Sequence, residues 1–295
     1  MFKVLVTGCD GQVGSEISKS APESFEVISL NSQKLDITSL EQIHLALEKY
    51  KPDLVINAAA YTKVDLAESE PELAYKINDV AVAYLASATN KADIPLFHIS
   101  TDYVFDGKLQ TPYKENFITN PKNIYGKSKL AGEKSLSNIN KKNIIIRTSW
   151  VFGYEGSNFV KTMLKLGELN KGLSIVSDQH GCPTSASSIA EILWKFAILY
   201  RQRNDLQWGV YHFCNFPETT WYDFAFDIFQ SAEQIGLLKP IPNLYRIQSQ
   251  DYLTAAERPR YSNLDCKKIK EALSLQQSYS WHDELKKLLI AFKDV

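Results

Sequence analysis

Five short apolar runs, each leading into a helical segment, occupy the first half of the chain and leave few folds open to it. The runs are FKVLVTG, FEVISL, DLVINAAA, IPLFHIST and NIIIRTSWVFG, rich in β-branched and aromatic residues. Between them lie GQVGSEISKSA, SLEQIHLALEKY, PELAYKINDVAVAYLASATNK and NIYGKSKLAGEKSLSNI, which read as helices. Strands joined through helices pair in parallel by right-handed crossovers, and such strands are buried on both faces. The expected fold is therefore α/β, a Rossmann-type doubly wound parallel sheet. In such sheets ligands bind beyond the carboxyl ends of the strands, so the residues just after each strand carry the information.

After about residue 150 the pattern loosens. SNFVKTMLKLGELNKG, ASSIAEILWKFAILYRQ and TTWYDFAFDIFQSAEQIGL read as amphipathic helices and GVYHFCN as a strand, with prolines punctuating KPIPNLYRI and ERPRYSN. We expect residues 1–150 to form a dinucleotide-binding domain to which a later segment returns. Residues 151–295 should form mainly a smaller mixed α/β substrate-binding lobe. The 295 residues suit one large or two modest domains at roughly 150 residues each.

A formal net charge of -1 gives no global field to attract nucleic acid or an anionic membrane. An anionic ligand must then be held by a local site. Cys9, Cys182, Cys214 and Cys266 are far apart and form no CxxC pair, which suggests neither a disulfide framework nor a zinc site and fits a reducing cytoplasm. The apolar run in MFKVLVTGCDG is too short for a signal sequence, and Glu191 and Lys195 interrupt the most apolar helix, so no membrane span is expected.

Gly8, Gly11 and Gly14 form GxxGxxG between the first strand and the first helix. Gly8 makes the turn, Gly11 permits close approach and Gly14 lets helix and strand pack, which suits a dinucleotide pyrophosphate at a helix N-terminus. Strand two ends in SLNSQKLDIT, without a ribose-binding acid; Asn31 and Ser32 stand there, and Lys34 could meet a 2′-phosphate, which favours NADPH over NADH. Asp36 is either a helix cap or an adenine contact. Asn57, Ala58, Ala59 and Ala60 end strand three with small side chains that suit a cofactor or close packing. Strand four ends in HISTDYVFDG, where Ser100 or Thr101 could bond a substrate carbonyl or satisfy the local loop. Tyr125 and Lys129 in NIYGKSKLAGEK share a helix face at i,i+4, so the lysine can stabilise a phenolate and make Tyr125 a usable proton donor.

TGCDGQVGSE, NAAAYTKVDLAESEPELAYKIN, STDYVFDG, YGKSKLAGE, RTSWVFG, NFVKTML and DQHGCPTSA run in this order from residue 7 to about 186. On these motifs the sequence resembles the extended short-chain dehydrogenase/reductases, and more narrowly the dTDP-4-dehydrorhamnose reductase family. The resemblance implies an NAD(P)H-dependent reduction of the C4 keto group of dTDP-4-dehydrorhamnose to dTDP-L-rhamnose, a step toward cell-wall polysaccharide or lipopolysaccharide. It makes Tyr125 the proton donor to O4, Lys129 the residue that lowers the Tyr125 pKa and holds the nicotinamide ribose, and Thr101 the third member. It also implies cofactor contacts from Gly11, Gln12, Val13, Asp36, Ile37, Ala60, Tyr61 and Thr62, and sugar-nucleotide contacts from Thr101, Asp102 and Trp150. Some members are reported as magnesium-linked dimers; Glu16 matches one such position, but serines in SASSIAEI stand where acidic partners would be sought. Monomer and homodimer both stay open.

Other residues have a structural and a functional reading. His98, in an apolar strand, reads as a satisfied core histidine, and His180 as a loop contact. Trp150 could instead plug the gap between lobes. Arg258 could grip a diphosphate or make an inter-lobe salt bridge. Rival activities on this scaffold are a 4,6-dehydratase, which typically needs an Asp-Glu pair where Asp102-Tyr103 stands, and a 4-epimerase, whose usual VYG is replaced by SWVFG. A non-catalytic regulatory subunit, such as that of methionine adenosyltransferase, is the rival of another class, and the intact Thr101, Tyr125 and Lys129 set argues against it.

Overall fold

The valine- and isoleucine-rich runs pair in parallel, as their burial on both faces requires. In the computed structural model, which describes residues 1–169, 171–277 and 279–293, six strands make one sheet. They are β1 (Phe2–Thr7), β2 (Phe25–Leu30), β3 (Leu54–Asn57), β4 (Leu96–Thr101), β5 (Asn143–Thr148) and β6 (Gly209–His212). Their order across the sheet is β6-β5-β4-β3-β1-β2. The order reverses between β1 and β3, where Thr7 stands opposite Asn57 in the last register pair. That is the crevice in which a doubly wound sheet binds its ligand.

The main helices are α1 (Gln12–Lys19), α2 (Leu40–Tyr50), α3 (Ala81–Lys91), α4 (Ile124–Ile139), α5 (Phe159–Glu168), α6 (Ala186–Arg203), α7 (Trp221–Gln234) and α8 (Trp281–Lys293). Alternation along each strand divides the sheet residues between two cores. Val4, Val6, Ile144 and Ile146 pack with Ile17 of α1 and with Ile189 and Phe196 of α6. Leu5, Val55 and Ile145 pack with Ile43, Leu85 and Leu136 of α2, α3 and α4. Each fully buried side chain of this size contributes about 1.5–3 kcal/mol, so the sheet residues fix the frame.

The segment that returns to the sheet comprises α6 and β6. The ASSIAEILWKFAILYRQ helix and the GVYHFCN strand, read from sequence among the elements after residue 150, cover α1 and extend the sheet beside β5. A separate core holds the second lobe: Phe152, Met163, Phe224, Phe229, Trp281 and Leu285, beneath a parallel pair formed by Leu173–Val176 and Leu244–Ile247.

The PELAYKINDVAVAYLASATNK helix is broken. A short helix, Pro71–Tyr75, passes through a π turn at Lys76–Val80 before α3 begins. There α4 presses backbone to backbone: a Cβ on Gly132 would lie 2.0 Å from the Asn78 carbonyl oxygen. Among the described residues no helix is long and apolar enough to cross a membrane.

Candidate active site

The start of α4 is held from two sides. The Asn123 side chain caps it by accepting from the Gly126 amide at 2.7 Å, and its Nδ2 donates to the Glu257 carbonyl at 2.8 Å. A Cβ on Gly126 would lie 2.2 Å from the Tyr103 carbonyl oxygen, so the helix start sits directly on the turn after β4. Tyr125 is thereby brought to that turn, its ring 5.6 Å from Tyr103 in an edge contact. The Thr101 hydroxyl donates to Asp102 Oδ1 at 3.0 Å and accepts from the Tyr103 amide at 3.2 Å, and it lies on the side of Tyr125, whose pKa it acts to lower.

Strand alternation separates the two rim hydroxyls. Ser100 turns away and donates to the Glu133 carboxylate. That carboxylate is buried against Arg147, with Nη2 2.7 Å from Oε2 and Nε 3.0 Å from Oε1. Thr101 is thus the hydroxyl that meets Tyr125, and Ser100 belongs to an ion pair.

Burial dominates the titration of these groups. It pushes Tyr125 up to about 12, with the Asp102 charge adding and the Thr101 hydrogen bond opposing. Lys129, 2% exposed, is pushed down to about 8, with Glu133 opposing. The sequence expectation that Lys129 lowers the Tyr125 pKa is corrected: the lysine amine is turned to the Ile99 carbonyl at 2.7 Å and to His98 Nε2 at 3.2 Å. A tyrosine that stays protonated at neutral pH is nonetheless in the state a proton donor needs. Asp102 is raised to about 7 by burial, and its Oδ2 has no partner.

The glycine triplet forms a cradle. Gly8 has φ +69°, and a Cβ there would lie 2.6 Å from the Ala59 amide nitrogen; one on Gly14 would lie 2.2 Å from the Gly8 carbonyl oxygen. Gly8 thus packs directly on the backbone of Ala58 and Ala59 after β3. Gly11 caps α1 without a side chain, and no acidic residue stands in the first turn, so this helix start fits a dinucleotide diphosphate. Val13 packs into the core, and Gln12 Oε1 accepts from Asn158 Nδ2 at 3.0 Å, so contact from these two would come through backbone amides.

Other expected cofactor residues are occupied locally. Asp36 Oδ1 accepts from the amide and hydroxyl of Thr38 at 2.9 and 2.8 Å, while the cap of α2 is Ser39, correcting the cap reading of Asp36. Ile37 is a core residue. Ala60 is half-buried and Thr62 exposed. Tyr61, buried, donates its amide to Asn78 Oδ1 at 2.9 Å and its hydroxyl to Glu70 at 2.8 Å. Asn78 Nδ2 also donates to Ser128 Oγ of α4, tying this loop to the catalytic helix. Glu16 is half-buried beside Lys19, and among the described residues no group of three or more His, Cys, Asp or Glu could hold a metal ion. Magnesium at Glu16 therefore has no support.

A cavity of about 940 Å³ opens between α5, α7 and the loops around residues 106–108 and 249–260, lined in part by Lys108, Gln179, Trp221, Tyr252, Arg258 and Arg260. Arg258 forks onto Asp65, whereas Arg260 lies 3.9 Å from Asp178 with its side chain mostly exposed. Trp150, at φ +46°, stacks on Trp221 with ring centroids 3.5 Å apart and planes 7° apart. Its other neighbour is Gly181, where a Cβ would lie 2.6 Å from the indole. Trp221 lines the cavity wall and Trp150 backs it. Trp221 and Arg260 lie in TTWYDFAFDIFQSAEQIGL and ERPRYSN, whose local patterns signal only a helix and a proline-punctuated loop. His180 contacts Glu218 at 3.1 Å in its loop, matching its structural reading.

A doubly wound parallel sheet with a glycine cradle at its crevice and Thr101 and Tyr125 at its carboxyl edge is the organisation of an extended short-chain dehydrogenase/reductase, an oxidoreductase with a nicotinamide cofactor. The family described as RmlD substrate binding domain matches residues 2–293. The chain is 42% identical over 290 residues to a dTDP-4-dehydrorhamnose reductase of Aggregatibacter actinomycetemcomitans, covering 98% of each. Crystal structures of dTDP-4-dehydrorhamnose reductases from Clostridium acetobutylicum (TM-score 0.91, 35% identity) and, in complex with NADP, from Bacillus anthracis (TM-score 0.90, 34% identity) each align over 99% of this chain and 100% of theirs. The chain belongs to the dTDP-4-dehydrorhamnose reductase family.

Proposed function

We propose that this protein reduces the C4 keto group of dTDP-4-dehydro-6-deoxy-L-mannose to give dTDP-L-rhamnose. The observation that carries this reading is the placement of Thr101, at the end of β4, and Tyr125, at the start of α4 beside Tyr103, on the carboxyl edge of the sheet, near a cavity roomy enough for a sugar nucleotide. The nicotinamide cofactor supplies the hydride when bound. Addition of hydride turns the ketone into an alkoxide, a far stronger base than a phenolate, so Tyr125 donates its proton to O4 despite its raised pKa. Thr101 orients that oxygen through its hydroxyl, and Asp102 and Trp150 serve the sugar side. Lys129 would hold the ribose end of the cofactor.

Arg258 and Arg260 supply cations for the diphosphate of the substrate. Trp221, backed by Trp150, offers an aromatic wall. NADPH is the favoured reductant: Lys34 would supply a cation for a 2′-phosphate, and the nearby Asp10 oxygens are engaged by Asn31 Nδ2 at 2.8 Å and by the Cys9 thiol. The test is oxidation of NADPH or NADH followed by absorbance, with dTDP-4-dehydrorhamnose and with UDP-glucose as substrates. Turnover with the first and none with the second supports the reading. Cofactor binding without turnover of either would favour a non-catalytic role and overturn it.

A further inference from the structure

Behind the Lys129 amine lies a row of buried polar side chains to which the mechanism above gives no task. Thr7 Oγ1 donates to Asn57 Oδ1 at 2.6 Å, and the Ala59 amide donates to the same oxygen at 3.1 Å. Asn57 Nδ2 is 3.0 Å from His98 Nδ1, and His98 Nε2 is 3.2 Å from Lys129 Nζ. Thr7, Asn57, His98 and Lys129 are at most 2% exposed, so each must find its partners within the protein.

The directions of these bonds can be assigned without seeing a hydrogen. A backbone amide only donates, so Ala59 fixes the Asn57 carboxamide with its oxygen toward Ala59 and Thr7 and its NH2 toward the imidazole. A donor facing Nδ1 requires that nitrogen to be bare, and a neutral ring then carries its hydrogen on Nε2. Burial keeps His98 neutral by holding its pKa well below the usual histidine range. The Nε2–H therefore points at the Lys129 nitrogen. Lys129 can accept it only as an amine, while giving one of its own hydrogens to the Ile99 carbonyl at 2.7 Å. An ammonium would set N–H against N–H.

We propose that His98 is a positioning residue for the reduction: its Nε2–H, aimed by Asn57 and Thr7, faces the Lys129 nitrogen and favours its amine over its ammonium form. The proposal rests on the reductase reading for its kinetic consequence but not for its geometry. The groups around Lys129 are His98 and the Ile99 carbonyl from β4 and Glu133 from its own helix, with Arg147 from β5 paired to Glu133. His98 acts in the same direction as burial, and Glu133 opposes both. A lysine poised near pH 8 loses its charge, and with it the charged donor it would offer the cofactor ribose, at the alkaline edge of the working range. Removing the His98 donor should then move that edge upward.

Two measurements test this. In the cofactor-free protein, long-range proton–nitrogen spectra of the histidine rings, with His98 assigned by its loss in His98→Gln, should show His98 as the Nε2–H tautomer from pH 6 to 9. In the kinetic experiment, the alkaline limb of kcat/KM should lie near pH 8 in the wild type and move up by about one pH unit in His98→Leu. His98→Gln, which can restore an N–H donor, should bring it back toward the wild-type position. An Nδ1–H tautomer, an imidazolium at pH 7, or an alkaline limb unmoved in a folded His98→Leu protein would overturn the proposal. If His98→Leu does not fold, the wild-type tautomer alone decides. A wild-type protein with the Nε2–H tautomer and no turnover would instead refute the reductase reading and leave the geometric proposal standing.

Discussion

Arg258 spans the Asp65 carboxylate with two hydrogen bonds, Nη2 2.6 Å from Oδ2 and Nη1 3.0 Å from Oδ1. The pair joins a loop of the substrate lobe to the helix that follows β3, and Asp65 Oδ1 also accepts from the Ala256 amide at 3.1 Å. Arg258 thus makes a salt bridge, and the same guanidinium lines the large cavity. The pairing fixes where the cation stands when a diphosphate arrives.

Because the Asp65 side chain is 46% exposed, the pair adds little stability, below about 1 kcal/mol. Arg258→Met should raise KM for the sugar nucleotide at least about tenfold while leaving the melting temperature nearly unchanged. Steady-state kinetics with a thermal melt distinguish this from the opposite pattern, an unchanged KM and a large loss of stability, which would make Arg258 a structural tie alone.

The Glu133–Arg147 pair behaves differently because both side chains are about 5% exposed or less. Removing one buried partner strands the other charge, which costs about 3–5 kcal/mol. Glu133→Gln should lower the urea midpoint accordingly, since Arg147 and the Ser100 hydroxyl both depend on that carboxylate. A variant within about 0.5 kcal/mol of the wild type would contradict the burial argument.

Asp102 makes stability depend on pH. Its folded pKa is raised from 3.8 to about 7 by burial, so the folded state binds a proton that the unfolded chain releases near pH 4. Stability should therefore fall as pH rises from about 4 to 7, by on the order of 4 kcal/mol. Asp102→Asn cannot titrate and should remove that slope. Denaturation measured at several pH values checks the sign, and a wild-type protein that gains stability over this interval relative to Asp102→Asn would refute it.

The cradle predicts a severe effect from one methyl group. Gly14→Ala would place a Cβ 2.2 Å from the Gly8 carbonyl oxygen and 2.8 Å from its carbonyl carbon, backbone atoms that cannot move aside. The start of α1 must then shift off the turn. Binding of NADPH, followed by fluorescence, should weaken at least about tenfold, whereas wild-type affinity in the variant would show that the cofactor lies elsewhere.

What the sequence discloses and what it conceals follow from the range of the interactions. The five strand–helix alternations, the glycine triplet and the Tyr125–Lys129 spacing are local patterns, and the structure builds the parallel sheet, the turn at Gly8 and the face of α4 from them. The direction of the Lys129 amine depends on His98 and Ile99, thirty or so residues away, and no spacing along α4 encodes it. The π turn at Lys76–Val80 arises from the contact of Asn78 with Gly132 across helices. Trp221 takes the cavity wall from Trp150 because the left-handed backbone at Trp150 lays one indole on the other. The choice between Ser100 and Thr101 needed only the alternation at the strand end, once Glu133 and Arg147 were known to lie on one side.

The account stands or falls on whether the phenol beside Thr101 is the acid that protonates the reduced sugar oxygen. The direct measurement is kcat of Tyr125→Phe with NADPH and dTDP-4-dehydrorhamnose, alongside NADPH affinity. We predict a loss of at least about 10²-fold in kcat with cofactor affinity close to the wild type; a Tyr125→Phe protein that turns over at the wild-type rate would contradict the assignment.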